Sequence, residues 1–314
     1  MAMRAAVPLT SGPAAERLRR RATYASVTVA CVLIAVKFGA WLATGSVALL
    51  SSVIDSLLDA VSSLINLFAV RQALMPPDRE HRFGHGKAEP LAVLAQSAFI
   101  TGSALALLAE AVRRLVHPTP VANPPAGIAV VIFSIVMTVA LVLYQRKVVR
   151  HTGSIAVRAD ELHYRGDVIL NLGVIAALVL GAVPHLQVFD PLFGAAIGVW
   201  IIISAVGLAR LSLTQLMDQE MSDDERESIR AIAQSHPDVA AAHDLRTRVA
   251  GPTTFIQIHI EMSGEMTLKR AHQISDEVEA KLRAAYPGAE IIIHQDPEGI
   301  EEPRSNFPRR ASVR

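Results

Sequence analysis

The sequence predicts an α-helical membrane protein with six transmembrane helices, followed by a cytoplasmic α+β domain of order α-β-β-α-β. Three observations predict it. Apolar segments, each near the ~20 residues that a spanning helix needs, recur from Ala22 to Leu213. The 314 residues are 51% hydrophobic and only 19% charged, with mean hydropathy +0.36, whereas a soluble domain carries about 25% charged residues. Beyond Leu216 the chain turns sharply polar and its apolar residues take up mixed periodicities.

Residues 1–21 read as a cytoplasmic polar tail carrying Arg4, Arg17, Arg19, Arg20 and Arg21. Residues 22–216 read as the membrane domain. Its first segment runs from about Ala22 to Thr44, too long for the core of a cleavable signal. It contains Lys37, which is expected to snorkel toward the near interface. A Gly45-Ser46 turn leads to the second segment, about Val47 to Val70. The third spans about Leu91 to Val116, and the proline-rich stretch from His117 to Pro125 is a loop. The fourth spans about Ala126 to Val148, the fifth about Ile155 to Val183 and the sixth about Pro191 to Leu213. An even number of spans puts both termini on one side. The tail and the loops after the second and fourth segments hold thirteen Lys and Arg, against Arg113 and Arg114 alone on the other side. The positive-inside rule therefore makes both termini cytoplasmic, in a multi-pass protein of the inner (plasma) membrane.

Residues 217–300 read as a cytoplasmic domain. SDDERESIRAIAQSH is an amphipathic helix with Ser222 as N-cap and acids in its first turn. HDLRTRVAG and TTFIQIHIEM alternate as two strands around Gly251-Pro252. TLKRAHQISDEVEAKLRAAYPG is a second helix, capped by Thr267 and ended by Pro287-Gly288. AEIIIHQ is a third strand. Residues 301–314, rich in Pro and Arg, form a loose tail.

Composition also excludes. A formal net charge of +1 and the lack of a basic stripe with interleaved aromatics argue against nucleic acid. The single cysteine, Cys31, excludes an internal disulfide and any multi-thiolate zinc site. GHGK lacks both the upstream Gly and the following Ser or Thr of a phosphate loop, so energy is expected from a gradient. No HExxH helix or nucleophile elbow supports a membrane metallohydrolase.

Three constellations carry the chemistry. In the second segment Asp55 and Asp59 lie four residues apart, one above the other on a helix. Two acids at membrane depth are costly and repel each other, and a cation between them removes both costs. In the fifth segment His163 and Asp167 share the same spacing. Two helices each offering such a pair build a site of three carboxylates and one imidazole. That set suits Zn2+, and Cd2+, Fe2+ or Co2+ also fit. The loop after the second segment holds Asp78, His81 and His85, with Gly84 and Gly86 free to turn the backbone between and beyond the histidines. The same spacing also suits a solvated loop with incidental histidines. In the tail domain His259 and His294 lie on strands, Asp296 faces the same way as His294, His243 opens the preceding strand and His272 lies on the second helix. These five residues can hold two divalent ions bridged by the carboxylate; ordinary surface histidines are the alternative.

Together the DSLLD pair, the DREHRFGHGKAEPLA loop, the ELHYRGD segment and the HDLRTR, GP, FIQIHIEM, AH and IIIHQDP runs of the tail resemble the cation diffusion facilitator family, most closely its bacterial zinc and ferrous-iron efflux branch. The resemblance extends from about Ala22 to Glu298. It implies a homodimeric metal/proton antiporter, not an enzyme, with six transmembrane helices and a metallochaperone-like cytoplasmic domain. By motif, Asp55, Asp59, His163 and Asp167 are the transport site and Asp78, His81 and His85 a membrane-interface site. His243, His259, His272, His294 and Asp296 are a binuclear site that helps hold the dimer. Lys87 and Asp218 match the family's charge pair at the membrane edge. The expected function is efflux of Zn2+, or of Cd2+, Fe2+ or Co2+, in exchange for protons by alternating access. Metal binds these ligands only when they are deprotonated, and an unperturbed imidazole titrates near ~6.5, which makes His163 the natural sensor. The rival readings are a membrane-bound metal sensor whose tail regulates another activity, and a passive channel.

Overall fold

The structure is a computed structural model of the chain, and it describes residues 12–45, 47–116, 125–180 and 189–299. Six long helices come first: α1 (Pro13–Thr44), α2 (Val47–Ala73), α3 (Ala88–Val116), α4 (Pro125–Thr152), α5 (Ile155–Leu180) and α6 (Phe189–Leu216). A short helix α7 (Asp223–Gln234), strands β1 (Ala241–Ala250) and β2 (Thr253–Met262), helix α8 (Leu268–Ala285) and strand β3 (Glu290–Pro297) follow. The chain divides into two compact units, one holding the long helices as far as Gln219 together with Val249–Thr253, the other Glu220–Arg248 and the chain from Thr254 onward.

The first helix corrects the sequence expectation. It starts at Pro13, so residues 13–21, expected in the polar tail, are helical. Proline at the first position costs the helix no hydrogen bond. Of the Arg17–Arg21 cluster, Arg19 is buried: its guanidinium meets Glu89 of α3 at 3.5 Å and donates to the Thr152 carbonyl at 2.7 Å. The helix ends where Gly45 adopts φ 65°, a left-handed conformation that glycine enters freely, and its N–H bonds back to the Trp41 carbonyl. The expectations for residues 1–11, Ser46, the loop from His117 to Pro124, the end of the fifth segment at Val183 and residues 301–314 lie outside the described residues.

The polarity of this unit is inverted. Leu57, Ile65, Phe68, Leu105, Val136, Leu143 and Ile203 point outward, while Ser62, Ser63, Asn66, Gln96, Ser97, Thr138, Gln145 and Asp160 are buried. That is the arrangement of a bundle solvated by lipid, with polar side chains as interhelical links. Gln96 of α3 donates to Ser62 of α2 at 3.2 Å, Ser63 of α2 pairs with Tyr164 of α5 at 2.8 Å, and Asn66 donates to the Ala156 carbonyl at 3.2 Å. Among the described residues five helices are long and apolar enough to cross a membrane: α1, and the stretches Ser52–Ala73, Ala88–Arg113, Ala129–Thr152 and Leu192–Leu216 of α2, α3, α4 and α6. The helix α5 is similar in length at 26 residues but carries Arg158, Asp160, Glu161, Arg165 and Asp167. Four of these five have side-chain partners. Asp160 accepts from Ser26 at 2.5 Å and Gln145 at 2.7 Å, Glu161 meets Arg146 at 3.2 Å, Arg165 lies 4.6 Å over the Trp200 ring, and Asp167 approaches His163.

In the second unit Ser222 and Glu225 form a reciprocal capping box at the start of α7, and Thr267 caps α8. The sheet order is β1-β2-β3, with β2 and β3 parallel and His259 opposite His294. Ile256, Ile258, Ile260 and Met262 of β2 face a core built with Ile229, Ala233, Ile274, Val278 and Leu282 of the helices. The alternate residues of β2, Gln257, His259 and Glu261, therefore occupy the other face. On β3, Gln295 reaches Ser275 of α8, so His294 and Asp296 share the face of His259.

Candidate metal centres

Inside the helical unit, α2 and α5 bring Asp59, His163 and Asp167 together, with one ligand atom of each within 4.8 Å of the others. His163 Nε2 lies 3.0 Å from Asp59 Oδ1 and 3.9 Å from Asp167 Oδ2. The i,i+4 spacing on α5 aligns His163 and Asp167, and the Ser63–Tyr164 and Asn66–Ala156 bonds hold that helix against α2. Two donors on a tetrahedral zinc ion with bonds of ~2.0–2.2 Å stand ~3.3–3.6 Å apart. The observed separations bracket that value, so small movements accommodate an ion. Asp55 is exposed one turn before Asp59 and stands outside this three-residue group.

The loop between α2 and α3 forms a second group. Asp78 Oδ1 accepts from the backbone N–H of His81 at 2.6 Å and of Glu80 at 2.9 Å, and lies 3.2 Å from His81 Nδ1. Its Oδ2 lies 3.3 Å from His85 Nε2, and the two imidazole rings are 4.4 Å apart. Gly84 turns the backbone at φ 77° between them. The His81 N–H, with smaller help from Glu80 and the His81 ring, holds the Asp78 carboxyl below the usual carboxylate range. Beside this loop Lys87 donates to Asp218 at 3.0 Å and to the Leu216 carbonyl at 3.3 Å. A cation thus sits at the C-terminal end of α6, where the helix dipole favours it.

The third group gathers around Asp296, whose side chain is 4% exposed. His259 Nδ1 lies 2.9 Å from its Oδ2, His243 Nε2 3.4 Å from the same oxygen and His294 Nε2 3.1 Å from Oδ1. His243, His259 and Asp296 form the compact three-ligand set, and the His294 ring lies 4.5 Å from that of His259, tilted by 41°. Among the described residues, Asp296 Oδ1 and His243 Nδ1 are buried and make no hydrogen bond, although His294 Nε2 stands 3.1 Å from the former, a costly arrangement that a bound cation relieves. The donors fit zinc. His272 is not brought to this group; it is exposed on α8 and lies 3.7 Å from Asp276.

Sequence reasoning missed Glu261, which meets His243 Nε2 at 2.9 Å. Its signal was present, because Glu261 is two residues after His259 on a strand and so shares its face. His243 reaches this face by a route that alternation hides. Ala242 and Leu245 both pack on the core, so the two-residue period breaks between them. Asp244, at φ 44°, is the extra residue that turns His243 outward, as in a bulge.

Residues 23–217 match the cation efflux transmembrane domain, and residues 221–298 match the cytoplasmic domain of cation efflux proteins. The chain is 48% identical over 281 residues to the cation-efflux pump FieF of Cronobacter sakazakii, covering 90% of this chain and 93% of that one. It is 47% identical over 285 residues to FieF of Serratia proteamaculans, covering 91% and 95%. Among solved structures, the zinc form of the transporter CzrB matches at 37% identity with a TM-score of 0.26, covering 27% of this chain and 98% of that one. With both domains matched in order and nearly the full length of its relatives covered, the chain belongs to the cation efflux family, the cation diffusion facilitators.

Proposed function

We propose that this protein exports a divalent metal ion, zinc or a close relative such as cadmium, ferrous iron or cobalt, from the cytoplasm in exchange for protons. The observation that carries the reading is the Asp59–His163–Asp167 group, which joins two helices within the lipid-solvated bundle. Asp55 completes the set when its side chain turns along α2 toward Asp59. Imidazole and carboxylates bind metal only in their deprotonated forms, so arriving metal displaces protons and arriving protons displace metal. Alternating access delivers that exchange to opposite faces, with both termini cytoplasmic in the inner membrane. The domain boundaries expected from sequence, 22–216 for the membrane domain and 217–300 for the cytoplasmic domain, belong to this reading, with α1 extended back to Pro13.

The cytoplasmic group around Asp296 supports a resident metal held by His243, His259, His294 and Asp296. There the ion would tie β1, β2 and β3 together on one face. His272 would join it only from a second copy, which favours a homodimer; a monomer mass by light scattering in detergent counts against this. The Asp78 loop is the weaker metal site, because Asp78 and His81 are exposed.

The test is metal-dependent proton movement in proteoliposomes, with Zn2+, Cd2+, Fe2+ and Mn2+ in turn, for wild type against Asp59→Asn and Asp167→Ala. The expected result is exchange with zinc and cadmium that both variants abolish. Metal bound without flux would favour the sensor reading, flux that ignores the proton gradient would favour a channel, and full exchange in the variants would remove the site.

A further inference from the structure

Lys37 departs from its sequence expectation. Its ammonium does not extend along α1 to an interface; it turns across to α2, donating to Ser56 Oγ at 2.7 Å and to the Ser52 carbonyl at 3.4 Å. Ser56 follows Asp55 and precedes Asp59 by three residues, so the amine rests on the turn of α2 from which both carboxylates project. Both acceptors are uncharged, so Lys37 is anchored without being neutralised by the groups that anchor it.

Resting on the transport-site reading above, we propose that Lys37 is a tethered counter-cation of that site. It offsets the carboxylates when no metal is present and opposes the metal when one is bound. Three carboxylates and one imidazole carry a surplus of negative charge that is costly at membrane depth. A positive charge held on the same stretch of α2 lowers that cost. The same charge repels a divalent ion, and repulsion at short range in a protein interior is strong enough to change affinity by tenfold or more. Affinity is thereby traded for release, which an exporter needs on the side where metal departs.

The experiment measures Zn2+ and Cd2+ binding by calorimetry on the full chain in detergent, with Asp78→Ala and Asp296→Ala silencing the other two groups. Lys37→Gln is expected to bind metal about tenfold or more tighter while its maximal flux in proteoliposomes falls severalfold. Lys37→Arg, which keeps the charge, stays near the unmodified background in affinity. A structural defect weakens binding, so tightening is specific to the proposal. Should Lys37→Gln not yield folded protein, Lys37→Met, which keeps the apolar stem, carries the same comparison. Asp59→Asn is run in parallel. If it abolishes binding while neutral Lys37 variants leave affinity unchanged or weaker, the transport site stands and the counter-cation role falls. If Asp59→Asn binds normally, the site reading fails and the Lys37 inference fails with it.

Discussion

Replacing Arg19 by Met tests the link that ties the start of α1 to the helices behind it. Arg19 and Glu89 are each 2% exposed and meet at 3.5 Å. Removing one member of a buried ion pair costs about 3–5 kcal/mol, because the other charge is left uncompensated. Glu89 keeps two donors after the change, the Ser154 hydroxyl at 2.5 Å and the Ala156 N–H at 3.1 Å, so the lower end applies. Met fills the space of the Arg stem but frees the Thr152 carbonyl that the guanidinium caps. The expected loss of about 3 kcal/mol lowers the melting temperature of the full chain in detergent by ~6–12 °C, at ~2–4 °C per kcal/mol for a unit of this size. A double-mutant cycle with Glu89→Gln should give a coupling of about 1–3 kcal/mol. Glu89 also places negative charge at the N-terminus of α5, the helix that carries His163 and Asp167, so Glu89→Gln should reduce transport as well. A shift under ~2 °C for Arg19→Met, or strictly additive single changes, would refute the argument.

Two further outcomes follow from the other groups. Asp78 is held below the ordinary carboxylate range by the His81 N–H, so its contribution to order in the loop is present above the unfolded value of ~3.9 and is lost only as pH falls through the lower folded value. A carbon-detected NMR titration should therefore put the Asp78 midpoint below ~3.9, and a midpoint at or above it would remove the His81 bond from the account. At Asp244, with φ 44°, Val should cost about 1–3 kcal/mol and weaken zinc binding by turning His243, whereas Gly should cost less and keep the metal; calorimetry with equal zinc affinity in both variants would sink the bulge.

Much of this was legible in the sequence because it rests on periodicity. The i,i+4 spacing of His163 and Asp167 and the alternation of β2 need only local geometry, whereas Asp55, spaced in the same way from Asp59, stays outside the group. The parts that were hidden depend on which helix lies beside which. Arg19 looks like one more member of a basic cluster, and only its packing against Glu89 and Thr152 sets it apart. Lys37 looks like a snorkelling cation until α2 supplies Ser52 and Ser56 as nearer acceptors. His272 sits on a correctly read helix, yet its face leads away from Asp296, and a helical position alone does not say which neighbour it meets. His243 needed a left-handed residue at Asp244, which no alternation rule anticipates.

The helix that least resembles a membrane span is the one that carries the chemistry, and the two facts have one cause. A charge in a lipid-solvated bundle is tolerated when it faces inward and finds a partner. On α5, Asp160 and Glu161 are buried, Asp160 against Ser26 and Gln145 and Glu161 beside Arg146, and Arg165 lies over the Trp200 ring of α6. Such partners fix the rotation of α5 far more tightly than apolar packing does, since turning the helix would strand several charges at once. That rotation is what aims His163 at Asp59 on α2. Asp160 shows the cost, for its Oδ1 remains buried without a partner, as does Oε1 of Gln145. A more apolar α5 would insert more readily and hold its ligands less well.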